Sequence, residues 1–151
     1  MQTNYTELQS YAAQFYQGRA LLLVPYGYNL TFSALAAAGT ASQTINIAAN
    51  ADFILTGIHH RANVAAAGQT VATKTAPLAR ILITDSGSNE QFTNSAVDLE
   101  NYSSNEFMIS MDYPRIVSGR STLTVQLTNY DAAQAYNIDI FFRGVLVRAY
   151  S

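Results

Sequence analysis

The chain has no cysteine and no tryptophan in 151 residues, and a single lysine, Lys74. Without cysteine there is no disulfide framework, no thiolate zinc site and no cysteine nucleophile, and the redox compartment stays open. Charged residues make up only 12% of the chain, about half the usual share of a soluble domain, so something other than charge must cover part of the surface. Thr, Ser, Asn and Gln can do this, and so can another protein chain, because permanently buried contacts tolerate small and apolar residues. The seven arginines are scattered from Arg19 to Arg148 and the net charge is −2. A nucleic-acid groove or an anionic membrane surface needs concentrated positive charge, so neither is an expected partner. The longest near-continuous apolar run, Ala20 to Val24, is far too short for a membrane span. Met1-Gln-Thr-Asn-Tyr5 lacks the basic-then-apolar order of a secretory signal. Without that signal, the glycosylation-type triplets at Asn4, Asn29 and Asn101 read as chance matches.

What is present is a length suited to one domain, able to bury roughly 68 to 70% of its unfolded surface. Thr6 to Gln17 places Leu8, Tyr11, Ala12, Phe15 and Tyr16 on one helical face, with Thr6 and Gln9 as a capping box and Gly18 as the stop. The expectation is a short N-terminal helix or arm over residues 1–19, docked on its own domain or on a neighbour, since a lone helix of about 12 residues is marginal. From Ala20 the period becomes that of strands. Leu21–Val24, Tyr28–Leu35, Gln43–Ala48, Asp52–Arg61, Leu78–Asp85, Gln91–Thr93, Phe107–Met111, Thr122–Thr128 and Tyr136–Arg148 are rich in β-branched, aromatic or leucine residues and bounded by Gly, Asn, Ser or Pro. Eight or nine short strands over residues 20–151 predict one sandwich or barrel. Two small-residue segments, Ala34–Ser42 and Ala62–Ala76, read as connecting loops, with packing on a neighbouring subunit as the functional alternative.

Chemistry is thin. His59 and His60 are adjacent and are the only histidines. On a strand, neighbours face opposite ways, so the pair cannot grip one ion without a bulge, and a cupin-like site would want a different spacing and further ligands. The expectation is one histidine packed at the sandwich edge and the other in solvent or at a contact. No Gly-x-Ser-x-Gly elbow supports a serine triad. Glu90, Asp98, Glu100 and Glu106 are close enough in sequence to consider a glycosidase pair, but they sit in a polar stretch that reads as a solvated loop. Asp85-Ser-Gly-Ser88 reads as a turn with Gly87 at positive φ rather than a calcium loop. Asp52, Asp85 and Arg115 are assigned to turn and strand-end hydrogen bonds. No catalytic residue, cofactor or metal ligand is therefore expected. Five of ten tyrosines fall in the first 28 residues, and tyrosine offers large contact area with a polar tip. Tyr5, Leu8, Tyr11, Phe15, Tyr16, Tyr26 and Tyr28 are the candidate contacts to sister subunits or a larger assembly.

Four stretches, ADFILTGI, LARILITDSGSNEQFTNSAVDL, YPRIVSGRSTLTVQLTNY and YNIDIFFRGVLVR, spanning most of Ala51 to Arg148, together resemble the small jelly-roll decoration or cement proteins of tailed-bacteriophage heads. The order is a strand opened by Asp-Phe, a strand ending in an Asp-Ser-Gly turn, Pro-Arg before a Thr/Leu alternation, and a final strand broken by Arg-Gly. The resemblance implies an all-β, jelly-roll-like antiparallel sandwich. It also implies a non-enzymatic virion protein on the outer capsid surface, a dimer or trimer, with the major capsid protein as partner. A receptor- or carbohydrate-binding head or tail module is the alternative, weakened by the lack of tryptophan.

Overall fold

Strand pairing in this chain is nested. β1 (Ala20–Leu35) pairs with the last strand, β9 (Tyr136–Tyr150); β2 (Thr40–Asn46) pairs with β8 (Thr122–Asn129); and β3 (Asp52–Val64) pairs with β7 (Ile109–Val117). At the centre, β4 (Ala79–Asp85) pairs with two short strands that follow it, β5 (Glu90–Gln91) and β6 (Val97–Asp98). Such a chain is one long antiparallel ribbon. The further pairings β9–β3 and β8–β4 roll it into two sheets, ordered β1-β9-β3-β7 and β2-β8-β4-β5, with β6 also on β4. This is the jelly-roll arrangement, two stacked antiparallel sheets. The computed structural model describes residues 5–65, 74–103 and 109–150.

Alternation in the sequence decides which residues meet between the sheets. In β8, Leu123, Val125 and Leu127 are fully buried while Thr122, Thr124, Gln126 and Thr128 face away. Ile81 and Ile83 of β4, Ile138, Ile140 and Phe142 of β9, and Leu30 and Phe32 of β1 close the same core. Each such side chain contributes roughly 1.5–3 kcal/mol relative to exposure.

A second, smaller core lies on the opposite face of the four-stranded sheet. Helix α1 (Tyr5–Phe15) sets Leu8 and Ala12, one turn apart, on Ile54, Val145 and Val147, with Tyr11, Tyr16, Leu21, Leu23 and Ile116 around them. The helix thus docks on its own domain. Thr6 lies inside the helix rather than at its cap, and Phe15 departs from the expected face, 57% exposed and edge-on to Tyr16. Gly18 does end the run: at φ 78° it follows Gln17 at φ 55°, and its N–H bonds the Ala13 carbonyl at 3.0 Å. A left-handed pair closing on an earlier carbonyl is the usual helix stop.

Pro25 and Gly27 do not divide two strands as the sequence suggested; β1 runs unbroken through both. β1 is an edge strand, where a missing N–H costs no ladder bond if it points outward. The Thr31 carbonyl accepts the Gln43 side-chain amide and so points away from β9. Residues of the same parity, Pro25 included, turn their backbone groups to the free edge. Gly27 has a separate role: a Cβ there would lie 2.1 Å from the Phe141 ring, which covers it.

Likewise β9 is not broken by Arg143-Gly144. β3 carries an extra residue at Thr56 relative to β9, since Leu55 faces Gly144 and Gly57 faces Arg143. At this bulge the strands come so close that a Cβ on Gly144 would sit 1.9 Å from the Ile54 carbonyl oxygen. Only glycine fits. The Thr56 hydroxyl donates to the Arg143 carbonyl at 3.1 Å.

The first small-residue segment is also shorter as a loop than expected. Residues 34 and 35 belong to β1 and β2 begins at Thr40, leaving a turn in which Gly39 N–H bonds the Ala36 carbonyl and Ala38 N–H bonds the Asp131 carbonyl. Its partner is therefore the chain's own β8–β9 connection. In the second segment residues 62–64 extend β3, and 66–73 lie outside the described residues.

Candidate functional site

The histidines separate as their adjacency requires, and the bulge decides which goes inside. Phe53 and Leu55 face the core; strict alternation from them would bury His59, but the extra residue at Thr56 shifts the phase, so Ile58, His60 and Ala62 turn inward. His60 is 1% exposed on an interior strand, while His59 is half-buried on the outer face. His60 Nδ1 shares a 2.5 Å hydrogen bond with the fully buried Ser103 hydroxyl. Its Nε2 is buried without a partner among the described residues. Burial, with a smaller contribution from His59, lowers its pKa to about 4, so His60 is a neutral core residue at neutral pH. Among the described residues no three His, Asp or Glu side chains converge as a metal would require.

Of the carboxylates considered for glycosidase chemistry, Glu90 and Asp98 are far apart. Glu90 faces Asp85 at one end of β4 and Asp98 faces Arg80 at the other, roughly 16 Å along the strand. Retaining or inverting pairs sit within about 5 to 9.5 Å. Both acids hold arginines instead: Glu90 bonds Arg115 at 3.1 Å, and Asp98 lies 3.6 Å from Arg80, whose guanidinium stacks 4.7 Å over Tyr130. Glu100 is on the 3-10 turn Leu99–Asn101, and Glu106 lies outside the described residues.

Asp52 and Asp85 act as expected of strand-end residues. Asp85 Oδ1 accepts the Gly87 N–H at 2.8 Å, and Asp52 Oδ1 accepts the Gly119 N–H at 2.7 Å. The positive φ in the Asp85 turn belongs to Asn89, at 56°, rather than to Gly87, where a Cβ would lie 3.1 Å from the Ser121 Cβ. Asp52 also accepts the Tyr16 phenol at 2.5 Å, tying the helix end to β3; burial and this carboxylate push the Tyr16 pKa up. Arg115 departs from its expected turn role. It reaches from β7 to the facing edge, bonds Glu90 and stacks 4.3 Å over Phe92, closing the sandwich between β7 and β5.

The candidate contact residues divide sharply. Leu8 is buried under the helix, Tyr11 and Tyr16 are half-buried beside it, and Tyr28 packs edge-on to Phe53 with its hydroxyl accepting the Ala48 N–H. These four serve the chain's own cores. Tyr5 begins the helix. Phe15 and Tyr26, 57% and 47% exposed, remain available, and Leu22 at 42% and Phe141 at 39% join them.

Sequence reasoning missed a polar groove on the outer face of the four-stranded sheet. Thr31, Asp139 and Arg61 align across β1, β9 and β3, with Asn137 and Asn63 paired alongside. With Ser33 and Ala62 they line a cleft of about 280 Å³. Arg61 and Asp139 are cross-strand neighbours, yet neither is in an ion pair among the described residues. Phe141 and His59 form the adjoining row. The alternating polar positions were visible in each strand, but not that these three strands lie side by side.

No family model, curated protein or solved structure matches this chain. Among the described residues no helix is long and apolar enough to cross a membrane.

Proposed function

We propose that this chain is a non-enzymatic structural protein of a virion, a decoration or cement protein that binds the outer surface of a tailed-phage head through the major capsid protein. The observation that carries the reading is the display of Phe15, Leu22, Tyr26 and Phe141 on a surface with few charges. Large apolar side chains of this kind, beside little charge, suit a surface covered in an assembly. The jelly roll is compatible with this role but is shared by proteins of many functions. Shallow contacts repeated by capsid symmetry reinforce a shell where any single contact is weak.

The outer-face groove favours a second reading, a receptor- or carbohydrate-binding module, because amides, hydroxyls and an unpaired Arg61 and Asp139 lie beside an exposed aromatic ring. Quantitative mass spectrometry of purified particles from the phage that encodes the chain separates the two. A copy number of the order of the major capsid protein's supports decoration. A few copies per particle, with glycan-array binding lost in Phe141→Ala, supports the module. Absence from the particle overturns both.

A further inference from the structure

β1 is 16 residues long, lies at the edge of its sheet, and contains no charged residue. Among the described residues its only strand partner is β9. Proteins guard such edges with lysines, bulges, proline or short strands, because a free row of N–H and C=O groups is a template for another strand. Over Ala20 to Phe32, ahead of the register shift between Phe32 and Leu35, the one guard is Pro25.

The backbone phase is fixed by the Thr31 carbonyl, which faces away from β9. The Arg143 carbonyl agrees, since it points to the Thr56 side of β9 rather than to β1. Leu21, Leu23, Pro25, Gly27 and Asn29 therefore offer their backbone groups to the free edge. Side chains of the other parity point towards the space between the sheets. Tyr28, Leu30 and Phe32 are covered there, whereas Leu22 and Tyr26 are 42% and 47% exposed. The unpaired backbone and the uncovered apolar side chains thus coincide on one segment, Leu22 to Tyr26.

We propose that β1 pairs antiparallel with β1 of a second copy of this chain, about a two-fold axis at Val24. This register sets Leu22 opposite the partner's Tyr26 and Tyr26 opposite the partner's Leu22, in the positions where cross-strand side chains approach most closely. Leu21 and Gly27 exchange full hydrogen-bonded pairs with their counterparts. Leu23 donates to the partner's Pro25, and the bond lost to each proline is the only gap. The exposed apolar pair, Leu22 and Tyr26, is symmetric about Val24 and so complements itself under a two-fold, and an uncharged strand laid on itself opposes no like charges. The result is one continuous sheet of eight strands with both apolar patches covered. Such a dimer would be the unit that docks on a shell, a use that rests on the decoration reading. The pairing itself is a property of the isolated chain, so either can fail without the other.

Light scattering on the purified full chain is expected to give twice the 16.4 kDa chain mass. Leu22→Lys and Tyr26→Lys, both at exposed positions, should halve that mass with the circular dichroism spectrum unchanged, and Phe15→Lys should leave the dimer intact. Because the chain has no cysteine, Val24→Cys gives a single thiol on the axis, where Cα atoms of a non-hydrogen-bonded pair stand about 4.5 Å apart, within disulfide range. It should cross-link to a dimer on oxidation, and Ser33→Cys should not. A monomeric wild type overturns the proposal. So does a dimer that survives both lysine variants, or one in which Val24→Cys fails to cross-link.

Discussion

Lowering the pH should destabilise this protein through His60. The ring is 1% exposed among Ile58, Ala62 and Ile140, its one hydrogen bond among the described residues is to Ser103, and its folded-state pKa is lowered from 6.5 to about 4, first by burial and then by His59. The unfolded chain binds the proton more readily, so stability is complete above the unfolded pKa and is lost as pH falls from about 6.5 towards 4. For these two pKa values the loss relative to pH 7 is about 2 kcal/mol at pH 5 and about 3 kcal/mol at pH 4. Urea unfolding at pH 7 and pH 5 on the wild type and on His60→Gln reads this directly. The amide keeps a polar group for Ser103 but does not titrate. The wild type should lose about 2 kcal/mol more than the variant between the two pH values. Equal losses in the two proteins would refute the reasoning and mean that His60 is hydrated or paired in solution.

Two core substitutions test the architecture. Asn129 is fully buried; its amide donates to the Leu35, Ala36 and Gln134 carbonyls, and its Oδ1 accepts the Asp131 N–H. Asn129→Ala removes four bonds to backbone groups, of which the Ala36 carbonyl keeps the Gly39 N–H, and should cost roughly 3 kcal/mol, read as a fall of about 10 °C in Tm; a change within 2 °C or so would mean that water replaces the amide. Gly144→Ala places a Cβ against the Ile54 carbonyl oxygen inside the sheet, with a cost of roughly 3 kcal/mol in chemical denaturation. A near-neutral Gly144→Ala would show that the bulge at Thr56 relaxes.

Much of the secondary structure can be read from residue patterns because each pattern is local. The alternation from Thr122 to Thr128 is a strand with one buried face, and Leu8, Tyr11 and Ala12 make one side of a helix, whatever surrounds them. Asp85 caps its own turn two residues on, so it too is visible locally. The boundary drawn at Pro25 misled because proline is read as a strand breaker, and only the place of β1 at the sheet edge makes it harmless. Phe15 misled in the same way: helical spacing puts it on the docked face, but the helix ends there.

The sequence by itself determined that this is a β-rich sandwich or barrel with an N-terminal helix or arm, no thiol chemistry and little charge, since composition and short-range periodicity suffice for those. Tertiary structure alone decided the rest. The two histidines had to face opposite ways, but a one-residue bulge, held by Gly144 of a distant strand, selected His60 for the core. The groove of Arg61, Asp139, Asn63 and Asn137 exists only because β1, β9 and β3, far apart in the chain, lie side by side. The free edge of β1 follows from the same nested pairing, because strand order is settled by long-range contacts that no local pattern encodes.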